Sequence, residues 1–331
     1  MTRVALVGLG DIGLNAHLPA LLRNADVEVF AVADPIAAHR ARAAGQLPGV
    51  ASYENLDGVL ADKTIEAVVL ATPPWVTTSL AVQALRAGRY VLAEKPIATS
   101  VAAAGPIGEL PVGDRARLQV GLTYRHDPAM ELLRSWIVSG RLGERLFCRA
   151  QIYDEQRDPA DPAHAERILG DLRHGSPVLH EGSHVFDWLS YLFGGPPVSV
   201  DDAWALRTDP AAAVPNLNGA RLTYPGGTVA VAEFGWWTDR LPPCEVSILG
   251  DRGYAVLDGS TFALTLQTVD GVETVEFPGR RMVRCFDRQL ARFVELIRGQ
   301  IDRAVPGFDE GLASLRVSEQ VARGGTADAL G

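Results

Sequence analysis

Three groups of residues in this chain have types and spacings suited to chemistry. His180, Glu181 and His184 stand in the spacing H-E-x-x-H, which on a helix puts two imidazoles on one face with a carboxylate between them, as in zinc proteases. Gly8, Gly10 and Gly13 form G-x-G-x-x-G, a loop that can cradle phosphates. Lys95, in the run AEKP, is one of only two lysines (the other is Lys63) among 31 basic residues. In a chain that otherwise uses arginine, a lysine stands out as a group able to give up a proton.

The metallohydrolase reading is the weakest of the three. Gly182 falls inside the motif, where a long helix disfavours it, and the continuation of a zinc-binding metzincin is absent because position 187 is Asp and position 190 is Ser. The expectation is no metal site, with H-E-x-x-H a coincidence produced by histidine at 180. The glycine motif has the context it needs, directly after a strand and at the opening of a helix. Gly8 permits the tight turn, Gly10 lets a pyrophosphate approach, Gly13 lets helix and strand pack, and Asp11 and Ile12 belong to the same loop. The helix N-terminus supplies free N–H groups for the phosphates. Asp34 closes the second strand, where a carboxylate accepts the ribose hydroxyls of NAD and repels the 2′-phosphate of NADP. Pro35 follows it, and Arg40 is the nearest arginine. NAD is the expected cofactor, with NADP as the alternative.

Elements to hold these groups follow from hydrophobic periodicity. RVALVGLG, VEVFAVAD, IEAVVLATPP and GRYVLAEKP read as strands buried on both faces, and VTTSLAVQALRAG reads as an amphipathic helix closed by Gly88. Alternating strands and helices predict an α/β fold, an N-terminal doubly wound parallel sheet over residues 1–122. Residues 123–331 are expected to form a second α/β domain with an open, mostly antiparallel sheet. Its strand candidates are ERLFCRAQIYDEQ, VSVDDAWALR, ARLTYPGGTVAVAEFGWW, CEVSILG, GYAVLDG and TFALTLQTV, with VLHEGSHVFDWLSYLFGG a helix among them. Arg157 to Gly175 is polar and proline-bearing, expected as a loop or short helix over a site, with Arg167, Arg173 and His174 available for selectivity. In a strand Trp236 and Trp237 would face opposite sides, so sheet core or subunit interface is preferred for them over sugar stacking.

Composition narrows the function classes. The formal net charge of −9 opposes nucleic-acid binding. No apolar run reaches the length a bilayer span needs, so no membrane partner is expected and the cytoplasm is the expected location. Cys148, Cys244 and Cys285 form no C-x-x-C pair and read as reduced thiols.

With these residues in view, GLGDIG, ATPP, AEKP and EGSHVFDWLSYLFG, in this order and at these separations, resemble the glucose-fructose oxidoreductase, inositol dehydrogenase and rhizopine-catabolism (Gfo/Idh/MocA) family along essentially the whole chain. The resemblance implies a Rossmann domain joined to an α/β domain whose open sheet mediates a homodimer or homotetramer. It also implies NAD(P)-dependent oxidation or reduction at a hydroxyl carbon of a sugar or cyclitol. Glu94, Lys95 and Pro96 occupy the E-K-P positions, where the family's lysine lies by the nicotinamide and the substrate hydroxyl. Thr72 and Pro73 are expected to line the cofactor cleft. Arg125, in TYRHDPAM, matches a segment that brings an arginine near substrate, and Asp154 is a candidate hydroxyl ligand. His184 and Asp187 fit the family's H-x-x-D.

The chain departs from that pattern at two places. Relatives usually carry Asp four residues before the histidine, where this chain has His180, and His three positions past the second proline of ATPP, where it has Thr77. The expectation is that His184 is the principal acid/base beside Lys95, with His180 as relay or substrate ligand. Two alternatives stay open: a non-catalytic NAD- and sugar-binding regulator, and an epimerase or lyase that uses bound NAD transiently.

Overall fold

A computed structural model describes residues 1–324 of the chain. It divides into two compact units, Met1–His126 with Met282–Leu312, and Asp127–Arg281 with the described residues 313–324.

In the first unit six parallel strands, β1 (Thr2–Val7), β2 (Val27–Ala33), β3 (Ala51–Tyr53), β4 (Ala67–Leu70), β5 (Tyr90–Glu94) and β6 (Leu118–Gly121), run in the order β3-β2-β1-β4-β5-β6. This is the doubly wound order with its switch point beside β1, where such sheets bind dinucleotides. The apolar runs of β1 and β4 are buried almost throughout, as covering both faces requires. A simple division after residue 122 omits one piece of this unit. Helix Arg281–Ile297 buries Phe286, Leu290, Phe293 and Val294 in the same core as Leu14, Leu18 and Leu21, so apolar burial returns residues 282–312 to the N-terminal unit.

In the second unit eight strands form one sheet, ordered β14-β13-β12-β11-β7-β10-β9-β8. They are β7 (Phe147–Gln156), β8 (Ser199–Leu206), β9 (Leu217–Thr223), β10 (Val229–Thr238), β11 (Glu245–Leu249), β12 (Gly253–Asp258), β13 (Leu264–Thr268) and β14 (Gly271–Val275). Among the described strands of this sheet, β7 and β10 pair in parallel and every other pairing is antiparallel. The stretch read as one strand from Ala220 to Trp237 is a hairpin, broken by the turn Pro225–Gly227, where Gly226 adopts φ +77°. Helix Pro177–Leu192 packs on β9 and β10, with Phe186 meeting Phe234 edge to face at 5.6 Å.

The polar stretch before it contains helix Pro162–Asp171, capped by Asp161, whose side chain accepts from the His164 N–H. Its apolar face, Ile168 with the following Leu172, packs on Trp236 and Trp237. The two tryptophans therefore share one cluster instead of facing opposite ways, because the β7–β10 ladder skips Asp154 on one strand and Trp237 on the other. Trp237 takes a left-handed φ of +58° at this double irregularity, which re-aims both side chains.

No helix among the described residues is long and apolar enough to cross a membrane.

Candidate active site

The glycine loop shows what a dinucleotide requires of the backbone. Gly8 has φ +90°, and a Cβ there would collide with the Ala71 carbonyl; one on Gly13 would collide with the Gly8 carbonyl. Gly10, by contrast, faces open space, with nothing among the described residues within 4 Å of the position a Cβ would take. Two glycines thus permit packing and the third leaves room for a ligand, so the loop fits a pyrophosphate. A π-helical turn, Gly13–His17, follows it before the helix Leu18–Arg23 begins.

Beside the loop lies a cavity of about 750 Å³ within the first unit. Of the residues expected to bind cofactor, Gly8, Gly10, Ile12, Asp34, Thr72, Pro73, Glu94 and Lys95 line it; Gly13 packs beneath the loop and Asp11 is exposed. Asp34 is buried, with Oδ2 accepting from the Leu9 N–H and Oδ1 from the Ile36 N–H, both at 2.8 Å. Burial pulls its pKa upward, but those two bonds and the His39 ring outweigh burial and hold the carboxyl below the usual carboxylate value. Arg40 does not turn into the cavity: its Nη1 donates to the Asp34 and Pro35 carbonyls at 2.7 and 3.1 Å, and its Nη2 reaches Glu54.

At the other end of the cavity, Glu94 Oε2 accepts from the Lys95 backbone N–H, and Oε1 lies 2.7 Å from Nε2 of the buried His17. His17 in turn meets the ring of Phe286 edge to face. Thr77 is buried; its Oγ1 donates to the Pro73 carbonyl at 2.9 Å and lies 2.8 Å from the Thr72 hydroxyl, which fixes the ATPP turn at the start of helix Pro74–Arg86.

Arg125 also belongs to the first unit, in the turn Thr123–His126. Asp154, His180 and His184 belong to the second. There Asp154 and His180 share a neighbour: Trp236 Nε1 donates to Asp154 Oδ1 at 2.7 Å, and the His180 ring lies 4.9 Å from the Trp236 ring. His180 Nε2 sits 3.2 Å from the Gly175 carbonyl. One turn on, His184 is buried and stacks with Trp188 at 6.2 Å, and Asp187 is buried on the same helix.

Gly182 has a packing reason. A Cβ there would stand 2.6 Å from Ser318 Oγ of the last helix, Phe308–Gly324. Among the described residues, no three His, Cys, Asp or Glu side chains are grouped so as to hold a metal ion. In the preceding segment Arg167 is engaged by Glu155 at 2.9 Å and Arg157 by Asp209 and Asp239.

His39 and the exposed Trp75 at the cavity, His17 behind Glu94, and Trp236 beside Asp154 escape the reading of the sequence. A histidine alone on a helix carries no spacing signal. Trp236 would have been found only by foreseeing the break in the ladder.

Comparison with known proteins agrees with this geometry. Residues 2–122 match the model of an oxidoreductase family with an NAD-binding Rossmann fold, and residues 130–256 match the GFO/IDH/MocA C-terminal domain. The chain is 35% identical over 211 residues to an inositol 2-dehydrogenase of Leifsonia xyli subsp. xyli, covering 63% of this chain and 58% of that protein. It is 28% identical over 322 residues to the rhizopine catabolism protein MocA of Rhizobium meliloti, covering 96% and 93%. In fold it is similar to an oxidoreductase domain protein from Kribbella flavida, with a TM-score of 0.83 at 22% identity over 99% of this chain and 98% of that one. The chain belongs to the Gfo/Idh/MocA oxidoreductase family, with an NAD-binding Rossmann domain as its N-terminal part.

Proposed function

We propose that this protein is an NAD-dependent dehydrogenase, or a reductase running the same step backwards, acting on a hydroxyl or keto carbon of a sugar, sugar derivative or cyclitol. The observation that carries the reading is the position of Lys95. It is half-buried in the wall of the same cavity as the phosphate loop, directly after Glu94, whose carboxylate is tied to His17. Bound NAD supplies a hydride acceptor, so the protein has only to hold the substrate carbon and manage one proton. In oxidation the hydroxyl proton passes to a base as the C–H hydride leaves, and in reduction the same group returns it to the carbonyl oxygen. Lys95 stabilises developing alkoxide charge on that oxygen, and His184 is the principal proton acceptor, with His180 assisting.

Asp154, oriented by Trp236, and Arg125 are the substrate-binding groups in this reading. An inositol dehydrogenase and a rhizopine catabolism protein among the relatives support the polyol class. The three cysteines are free, as a reducing cytoplasm would leave them. Assembly as a homodimer or homotetramer through the eight-stranded sheet fits its partly exposed apolar residues, among them Phe147, Val229, Val231 and Trp204. Light scattering on the eluted protein reads that directly.

The functional test is absorbance at the reduced-nicotinamide band with a panel of polyols, cyclitols and ketosugars. The expected result is turnover of at least one of them, with Lys95→Met and His184→Ala each lowering kcat by about two to four orders of magnitude. Full activity in either variant removes that residue from the proton chemistry. NAD binding without turnover or product across the panel would make the chain a binding protein.

A further inference from the structure

One end of the cofactor cavity contains an ionisable pair that dinucleotide binding alone does not require. His39, on helix Ala37–Gln46, lines the cavity together with Asp34, and its Nδ1 lies 3.2 Å from Asp34 Oδ2. An ionised carboxylate only accepts, so this nitrogen carries the proton. The ring is part-buried, with 29% of its side chain exposed to solvent.

Two counts show what the ring does there. The first is of hydrogen bonds. A carboxylate offers about four acceptor positions, and on Asp34 the Leu9 N–H, the Ile36 N–H and His39 take three. The adenosine ribose of NAD brings two hydroxyl donors to this position. His39 therefore competes with one of them for Oδ2, and a charged ring holds on harder than a neutral one.

The second count is of charge. Asp34 at the end of β2 and Glu54 after β3 face the cavity as anions, Arg40 is engaged by Glu54 and by the carbonyls of Asp34 and Pro35, and His39 is the fourth group. With His39 neutral the group sums to one negative charge, which repels a 2′-phosphate. With His39 protonated it sums to zero.

We propose that His39 is a specificity-determining residue for the cofactor: neutral, it leaves the negative charge of Asp34 uncompensated, which selects NAD, and protonated, it pairs with Asp34 and admits NADP. The inference rests on the cavity being the NAD site, and its test separates the two ideas.

Dissociation constants of NAD and NADP are measured by calorimetry on the intact protein from pH 8 to pH 5.5, for wild type, His39→Gln and His39→Lys. Gln keeps a donor for Asp34 but cannot gain charge, and Lys is charged throughout. In wild type the preference for NAD over NADP should shrink about fivefold as pH falls. The 2′-phosphate itself titrates near pH 6, so part of the change is the ligand's own. That part persists in His39→Gln, and the difference between the two proteins belongs to His39.

His39→Lys should bind NADP relatively better than wild type at pH 8. Equal pH profiles in wild type and His39→Gln, with NAD binding intact, overturn the role of His39 alone. No binding of either nucleotide by wild type overturns the cofactor cavity as well.

Discussion

Trp236 Nε1 donates to Asp154 Oδ1 at 2.7 Å, joining two residues that the strand ladder leaves irregular. A regular β10 would alternate its two tryptophans across the sheet. Because Asp154 is skipped on β7 and Trp237 on β10, the Trp236 indole reaches an otherwise exposed carboxylate and also lies against the His180 ring. The bond to a charged acceptor contributes on the order of 1.5–3 kcal/mol to holding Asp154 in one orientation.

Replacing Trp236 with Phe keeps most of the buried ring and removes the donor. If Asp154 binds a substrate hydroxyl, KM should rise about three- to tenfold with kcat little changed, because the lost positioning affects ground state and transition state alike. Steady-state kinetics with the best substrate of the panel reads this; unchanged KM would detach Asp154 from the substrate.

The loop glycines should separate folding from binding. Gly8→Ala places a Cβ against the Ala71 carbonyl at φ +90°, so it should cost on the order of 2–3 kcal/mol of stability. Gly10→Ala meets nothing within 4 Å, so stability should hold within about 1 kcal/mol while NAD affinity falls tenfold or more, the methyl occupying the space left for pyrophosphate. Urea melts and calorimetric titration on the same two variants distinguish the effects. A Gly10→Ala protein that binds NAD normally would move the phosphates elsewhere.

How far the sequence speaks depends on how many residues repeat a pattern. β1, β2, β4 and β5 are near-continuous in apolar residues and followed by turn chemistry, and G-x-G-x-x-G sits where β1 ends, so the parallel sheet and its cofactor end are legible. β3 has only three residues and β6 is interrupted by Gln119, so neither reads as an apolar run, although they complete both edges of the sheet. The return of helix Arg281–Ile297 to the first unit is decided by packing between residues far apart in the chain, which no local pattern encodes. At the site, Lys95 stands out by composition and His184 by motif. The pair His17–Glu94 exists only once distant strands bring it together, and His39–Asp34, five residues apart, depends on how the turn after β2 leads into helix Ala37–Gln46.

His126 gives a pH dependence whose sign is fixed. Its Nε2 is buried with no hydrogen-bond partner among the described residues, and burial first, then the charges of Arg125, Arg288 and Arg292, lower its pKa to about 3. The unfolded chain binds the proton near pH 6.5, so between about pH 6.5 and 3 the unfolded state is the more protonated one. Stability therefore falls as pH drops through that window, and above it His126 contributes no slope. His126→Gln should flatten the decline in urea midpoint between pH 7 and pH 4.5. An identical decline in both proteins would show that the imidazole keeps its ordinary affinity for protons.

Gly182 tests whether the glycine inside H-E-x-x-H is there for packing. Alanine is the better helix former by about 1 kcal/mol, so an unconstrained Gly182→Ala would stabilise the protein. Here the new Cβ would stand 2.6 Å from Ser318 Oγ and 3.0 Å from the Phe186 ring, both tighter than ordinary contact. Overpacking of this kind costs about 1–3 kcal/mol, which outweighs the propensity gain, so the single variant should be destabilised. Ser318 Oγ donates back to the Ser314 carbonyl of its own helix, so Ser318→Ala removes the nearest obstacle at small cost. The double variant should then recover at least about 0.5 kcal/mol relative to the sum of the two single changes, the signature of sites in direct contact. Strict additivity in urea unfolding would mean that the helices part freely at this point and that some other demand selects the glycine.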